Sequence, residues 1–263
     1  MNLSKDETGK TRLMTRIASH RGGTLEYGDS TPRGFAATAA MALEEVEFDV
    51  HPTADGAIVV HHDPTLEGTT DRCGAIAGLT LAEVKSATIH YSAGGHPLTL
   101  EELCALYASS SVDFRCEIKP GADGLAYPGF VPKVIDLLAR HDMLARTTFS
   151  SFLLSSLDDL MAATDRPRLW LVSPPVLKQV GVHGVIELCK AHGVPEIGVH
   201  IDTADAALAK VIRAAGLDFG CWAAHAPAQI DKALTLSVKV FTTDRPTLAI
   251  GLRTAFREKE TEA

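Results

Sequence analysis

A chain of 263 residues, 46% hydrophobic and 22% charged, has the composition of a folded globular protein and is long enough to bury a large core without covalent staples. Its formal net charge of −8, with no basic run, excludes general nucleic-acid binding, because phosphate contacts need clustered Lys and Arg. Five cysteines without a Cys-x-x-Cys pair exclude a disulfide framework, and neither a secretory-type leader nor a membrane-spanning apolar run is visible, so a reducing, cytoplasmic setting is expected.

The first predicted strand is Arg16-Ile17-Ala18-Ser19-His20. A helix follows over 32–42, with Thr31 placed to cap it and Pro32 suited to its first turn. The second strand covers 45–50, and Asp55-Gly56 then marks a turn into the apolar run 58–62. That link is too short for a parallel crossover, so the two runs form a hairpin. Residues 64–96 lack strong periodicity and read as an inserted surface segment with a short helix near 81–87. A helix over 99–107 opens on Thr99 and Glu102 at capping-box spacing. Strands are then expected at 113–119, 147–150, 168–172, 196–201, 217–222 and 238–242. Helices alternate with them at 130–141, 153–164, 182–192, 203–215, 227–234 and 246–257, and the tail 257–263 is expected to fray. Leaving the hairpin arm aside, the strands number eight, and βα units of this number and total length predict a (β/α)₈ TIM barrel, one domain over 1–263. The doubly wound competitor lacks its glycine-rich fingerprint, since His20-Arg21-Gly22-Gly23 is not Gly-x-Gly-x-x-Gly.

Parallel barrels carry their chemistry at the carboxyl ends of the strands. Here those ends hold His20-Arg21, Glu47 with Asp49, His61-His62-Asp63, Glu117 with Lys119, Ser150-Ser151, Trp222 and Thr242-Thr243-Asp244-Arg245. Glu47 and Asp49 are two apart on one strand and share a face, where two carboxylates repel and are costly to desolvate. A divalent cation resolves that repulsion, Glu117 could supply a third oxygen, and hard oxygen donors favour Mg²⁺ or Ca²⁺ over zinc. The bland alternative is a structural salt bridge to Lys119 or Arg21. His20 and His62 have the side chains of a general acid and base. His61 and His62 alternate faces, so only one of them can enter the site, and periodicity does not choose between them. Arg21 and Lys119 could hold phosphate oxygens or serve as counter-ions to the acids. His51, His200 and His225 are weaker candidates, and Trp222 is either a ligand-facing platform or barrel packing.

These residues stand in the order His20-Arg21-Gly22, Glu47-Phe48-Asp49, His62-Asp63-Pro64-Thr65-Leu66, Glu117-Ile118-Lys119, Phe149-Ser150-Ser151-Phe152, Trp222 and Thr243-Asp244-Arg245-Pro246. In that order, over nearly the whole chain, the sequence resembles the glycerophosphodiester phosphodiesterase family. The resemblance implies a distorted TIM barrel with an inserted segment at about 65–97. It also implies catalytic His20 and His62, the ligands Glu47, Asp49 and Glu117 for Mg²⁺ or Ca²⁺, and phosphate contacts from Arg21 and Lys119. Two segments depart from the family pattern: Gly28-Asp29-Ser30-Thr31 stands for Pro-Glu-Asn-Thr, and Trp222-Ala223-Ala224-His225 for Trp-Thr-Val-Asn. Both flank the expected mouth, and they bear on which alcohol is released.

The implied reaction is hydrolysis of a small-molecule glycerophosphodiester to sn-glycerol 3-phosphate and an alcohol, through water or through the substrate's own neighbouring hydroxyl. A sugar phosphodiester or a lysophospholipid is the nearest alternative substrate. A Mg²⁺-dependent enolate-type lyase or isomerase on the same barrel is more distant, and a non-catalytic phosphate-binding barrel more distant still.

Overall fold

The computed structural model describes residues 3–5, 11–91 and 94–262. A short antiparallel ribbon, β1 (Leu3–Lys5) and β2 (Thr11–Leu13), comes first. The strands that follow are β3 (Arg16–His20), β4 (Glu45–Pro52), β5 (Ile58–Val60), β6 (Asp113–Ile118), β7 (Thr147–Ser151), β8 (Arg168–Val172), β9 (Glu196–His200), β10 (Asp218–Trp222) and β11 (Val240–Thr243). Among the described residues the sheet runs β3-β11-β10-β9-β8-β7-β6-β4 with every neighbour parallel, and pairing of β3 with β4 closes it into an eight-stranded barrel. The intervening helices are α1 (Thr24–Tyr27), α2 (Pro32–Ala39), α3 (Leu81–Lys85), α4 (Leu100–Tyr107), α5 (Phe130–Arg140), α6 (Leu154–Ala163), α7 (Pro174–Ala191), α8 (Ala206–Ala214), α9 (Pro227–Thr235) and α10 (Pro246–Glu262). None of them is long and apolar enough to cross a membrane.

Side-chain alternation builds two layers from each strand. On β4, Val46, Phe48 and Val50 belong to the core beneath the helices, where Phe48 packs edge-on to Phe114. Glu45, Glu47, Asp49 and His51 face the other way, and all four are buried. The barrel interior is correspondingly uneven. Acids and bases from β3, β4 and β6 fill one side, while Leu169, Leu171, Gly198 and Gly220 line the other. Gly198 and Gly220 are register partners, and a Cβ on Gly198 would lie 2.9 Å from Leu169 Cδ1, so glycine is what lets the leucines fill that space.

The hairpin has a specific structural reason. β3 pairs only with the first half of β4, as far as His20 opposite Glu47. β5 then pairs antiparallel with Val50–Pro52, the second half. Chain leaving β5 therefore returns to the rim at His61 and His62. The segment after it has a small core of its own (Val59, Leu66, Ile76, Val84 and Ala87), which accounts for its weak amphipathic pattern.

Several boundaries differ from expectation. α7 begins at Pro174 rather than 182, because two helical pieces meet at Gly181, whose φ of 71° breaks the periodicity. The ribbon and α1 lie in polar stretches without an amphipathic signal. The tail expected to fray from 257 continues α10 to Glu262, and residue 263 lies outside the described residues.

At the amino-terminal end of the barrel Arg115, 3% exposed, lies between Glu45 (Nε to Oε2, 2.6 Å) and Glu196 (NH1 to Oε1, 3.7 Å). Arg16 supplies a second cation to Glu45 and Lys239 one to Glu196. Removing the central guanidinium leaves buried carboxylate charge under-compensated. Arg115→Met is expected to lower unfolding stability by about 3 kcal/mol in urea titrations, with a smaller loss for Arg140→Met, whose surface pair with Asp136 is exposed.

Candidate functional site

His20 is the last residue of β3, and the next three residues turn the chain sharply. Arg21, Gly22 and Gly23 all have positive φ (49°, 75° and 86°). A Cβ on Gly22 would lie 3.0 Å from the Phe35 backbone nitrogen, so the turn needs glycine there for space as well as conformation. The Arg21 amide donates to the Glu47 carbonyl (2.9 Å), which seats the turn on β4. The Arg21 guanidinium then lies with Nε 3.2 Å from Asp49 Oδ2 and NH1 2.7 Å from Asp29 Oδ2. The short acid at position 29 thus engages Arg21.

Glu47, Asp49 and Glu117 are all buried, and each offers an oxygen within 4.8 Å of the others. The sheet brings them together: Glu47 and Asp49 share the inner face of β4, and Asp49 is the register partner of Glu117 on β6. Lys119 Nζ stands 2.9 Å from Glu117 Oε1 and 3.5 Å from Asp49 Oδ1. Burial pushes the Glu47 carboxyl well above its ordinary range, and Asp49 and Glu117 push it further. Burial also raises Glu117, to about 7, against the pull of Lys119. At Asp49 burial acts in the same direction, but Lys119 and Arg21 outweigh it and hold the carboxyl below its ordinary range. Two cations thus face three acids, of which Glu47 and Glu117 resist ionisation while Asp49 is held ionised. Both Asp49 oxygens and Glu117 Oε1 are buried at ion-pair distances without directed hydrogen bonds. Orphaned hard oxygens of this kind suit a divalent cation such as Mg²⁺ or Ca²⁺.

An imidazole stands on either side. His20 Nδ1 lies 2.5 Å from Asp244 Oδ1. A carboxylate only accepts, so Nδ1 donates, and Nε2 is turned inward, 3.8 Å from Glu47 Oε2. His62 repeats the arrangement, with Nδ1 donating to Asp63 Oδ1 at 2.6 Å. Burial lowers the His62 pKa, and nearby Arg21 and Lys119 lower it further against the pull of Asp49. His61 is engaged elsewhere, its ring nitrogens 2.8 Å from the Asp63 carbonyl and 2.8 Å from Thr69 Oγ1. The glycine at 68 makes room for the Asp63 carboxylate, since a Cβ there would sit 2.7 Å from its Oδ2.

Trp222 ends β10 and stands edge-on to both Phe152 (5.6 Å, 83°) and His200 (4.6 Å, 88°), with its Nε1 buried and unpartnered. The roles of Asp244 and Asp63 were not assigned from sequence. A usable signal existed for Asp244, because a closed barrel pairs its last strand with its first: Thr243 opposes Ser19, which puts the next residue beside His20. His225 joins that corner, its Nδ1 accepting the Asp244 amide at 2.9 Å.

Residues 20–248 match the model of the glycerophosphoryl diester phosphodiesterase family. Over 153 residues the chain is 31% identical to the glycerophosphodiester phosphodiesterase of Caldanaerobacter subterraneus subsp. tengcongensis, a match covering 56% of this chain and 62% of that protein. A crystal structure from Agrobacterium tumefaciens str. C58, assigned as a glycerophosphoryl diester phosphodiesterase, is 74% identical with a TM-score of 0.93, over 93% of this chain and 99% of that one. An Oleispira antarctica phosphodiesterase, solved with the product sn-glycerol-3-phosphate, shares the fold at a TM-score of 0.73 and 21% identity, over 91% and 96% of the two chains.

A cation binding the folded acids should stabilise the protein by mass action, about 2.7 kcal/mol at a hundredfold excess over Kd. Thermal unfolding with and without saturating Mg²⁺ or Ca²⁺ is expected to show a rise in Tm on the order of 5 °C, reversed by EDTA and absent from Asp49→Asn.

Proposed function

Because the chain belongs to the glycerophosphoryl diester phosphodiesterase family, we propose that it hydrolyses small-molecule glycerophosphodiesters to sn-glycerol 3-phosphate and an alcohol. The observation that carries this reading is the pair of imidazoles, His20 and His62, each with Nδ1 bound by its own carboxylate, flanking the buried acids. The product held by the Oleispira antarctica protein lends support to the glycerol phosphate half. We take residues 1–263 as one catalytic unit, since the matched span, 20–248, runs from the end of the first barrel strand through the last. The unpaired state of all five cysteines supports a reducing, cytoplasmic setting.

Glu47, Asp49 and Glu117 would hold a divalent cation, Mg²⁺ or Ca²⁺, which when bound supplies Lewis-acid polarisation of phosphate oxygens. Arg21 and Lys119 add fixed positive charge beside those oxygens, already oriented by Asp29, Asp49 and Glu117. The Trp222 indole N–H can donate to a further oxygen. Asp244 and Asp63 fix the tautomers of His20 and His62, leaving Nε2 of each ring for the reaction. One imidazole removes a proton from the nucleophile, which is water or the substrate's neighbouring hydroxyl with water then opening the cyclic phosphate, and the other protonates the departing alcohol oxygen.

A lysophospholipid is a second reading with its own observation. Leu25 and Leu125, 56% and 65% exposed, lie in segments that follow β3 and β6, at the carboxyl end of the barrel. Parallel assays on glycerophosphocholine and lysophosphatidylcholine separate the two.

His20→Ala and His62→Ala are each expected to lower turnover of glycerophosphodiesters by about 10²–10⁴-fold, while the Tm rise with Mg²⁺ persists. Unchanged turnover in both variants would sink the mechanism. Asp244→Asn should cost about 10²-fold or more by releasing the wrong His20 tautomer, read as kcat by coupled detection of sn-glycerol 3-phosphate.

A further inference from the structure

His51 lies on β4 two residues beyond Asp49, fully buried, and has no part in the reaction outlined above. Both of its ring nitrogens are engaged. Nε2 is 3.1 Å from the His62 carbonyl oxygen, and Nδ1 is 2.9 Å from the Tyr127 hydroxyl. The polarity of this chain follows from the groups themselves. A carbonyl only accepts, so Nε2 carries the proton and donates to His62. The neutral ring then has its lone pair on Nδ1, and the Tyr127 hydroxyl donates to it. Tyr127 is itself held edge-on, between His51 (5.8 Å, 87°) and Phe130 (5.6 Å, 75°).

The two segments joined this way both leave β4's neighbourhood just where they become useful. Past β5 the His61 amide still donates to the Asp49 carbonyl, at 3.1 Å, before the chain turns into His62. Tyr127 belongs to the loop that runs from Lys119 to α5. The geometry points to His51 as a positioning residue for His62: it anchors the main chain of that residue to β4 and, through Tyr127, to the loop following Lys119, so that imidazole and ammonium keep their spacing over the acids. This rests on His62 being an acid/base group, as proposed above.

The test compares His51→Leu, His51→Gln and Tyr127→Phe with the unsubstituted protein, by steady-state kinetics on glycerophosphocholine with Mg²⁺ and by NMR of the His62 imidazole without substrate. His51→Leu is expected to lower kcat by about 10–100-fold with KM changed less than about twofold, and to shift or broaden the His62 signals. His51→Gln, whose amide N–H can reach the same carbonyl, should restore most of kcat and a native His62 spectrum, with Tyr127→Phe between the two. Native kcat in His51→Leu, or equal impairment in the leucine and glutamine variants, overturns the inference. If His51→Leu does not fold, Tyr127→Phe decides: a native His62 spectrum and native kcat there count against it. If the His62 signals respond as expected but the unsubstituted protein cleaves no diester, the positioning role stands and the proposed activity falls.

Discussion

The arrangement depends on keeping three carboxylates inside a closed barrel. Asp49 and Glu117 are register partners on adjacent strands and Glu47 shares the inner face two residues before Asp49, so the backbone ladder itself holds like charges together. Such a cluster is unfavourable on its own, because burial penalises each ionised group and every acid raises the cost of its neighbours. Arg21 and Lys119 offset part of that cost, and a hard dication would offset the remainder. Much of the surrounding geometry follows from this requirement: the left-handed turn that brings Arg21 over Asp49, and the position of Lys119 just beyond the end of β6.

The two ends of the barrel use similar residue types to opposite effect. At the amino-terminal end, Glu45 and Glu196 share Arg115 and each has a further cation, Arg16 or Lys239. Pairing there locks the strands. At the carboxyl end buried oxygens outnumber their hydrogen bonds, and two histidines are oriented by carboxylates rather than neutralised in the core. Among the described residues, three carboxylate oxygens of the upper cluster (both of Asp49 and one of Glu117) lack a directed hydrogen bond, against one of Glu196 in the lower cluster, which suits the upper cluster to a ligand and the lower one to stability.

The barrel was legible because strand and helix patterns repeat over much of the chain, and closure brings widely spaced motifs to one rim. Glu47 and Asp49 could be placed on one face from a spacing of two, and the Thr99 capping box is formed as its spacing implied. Other features were hidden for physical reasons. Sequence periodicity could not choose between His61 and His62, which face opposite ways; the family resemblance pointed to His62, and in the structure His61 is engaged by Thr69. Asp63 and Asp244 act through single hydrogen bonds to the histidines, which leave no periodic trace. The kink at Gly181 and the small core of the inserted segment depend on tertiary packing that local propensity does not encode.

The division of labour along β4 has an architectural consequence. Its first half is shared with β3 and its second half with β5, so the chain carrying His62 is fastened to the same strand that presents Glu47 and Asp49. The excursion beyond it folds around its own apolar nucleus. Lengthening, shortening or exchanging that excursion would therefore reshape the rim of the barrel while His62 and the buried acids keep their places, giving this scaffold a place to vary what its mouth admits.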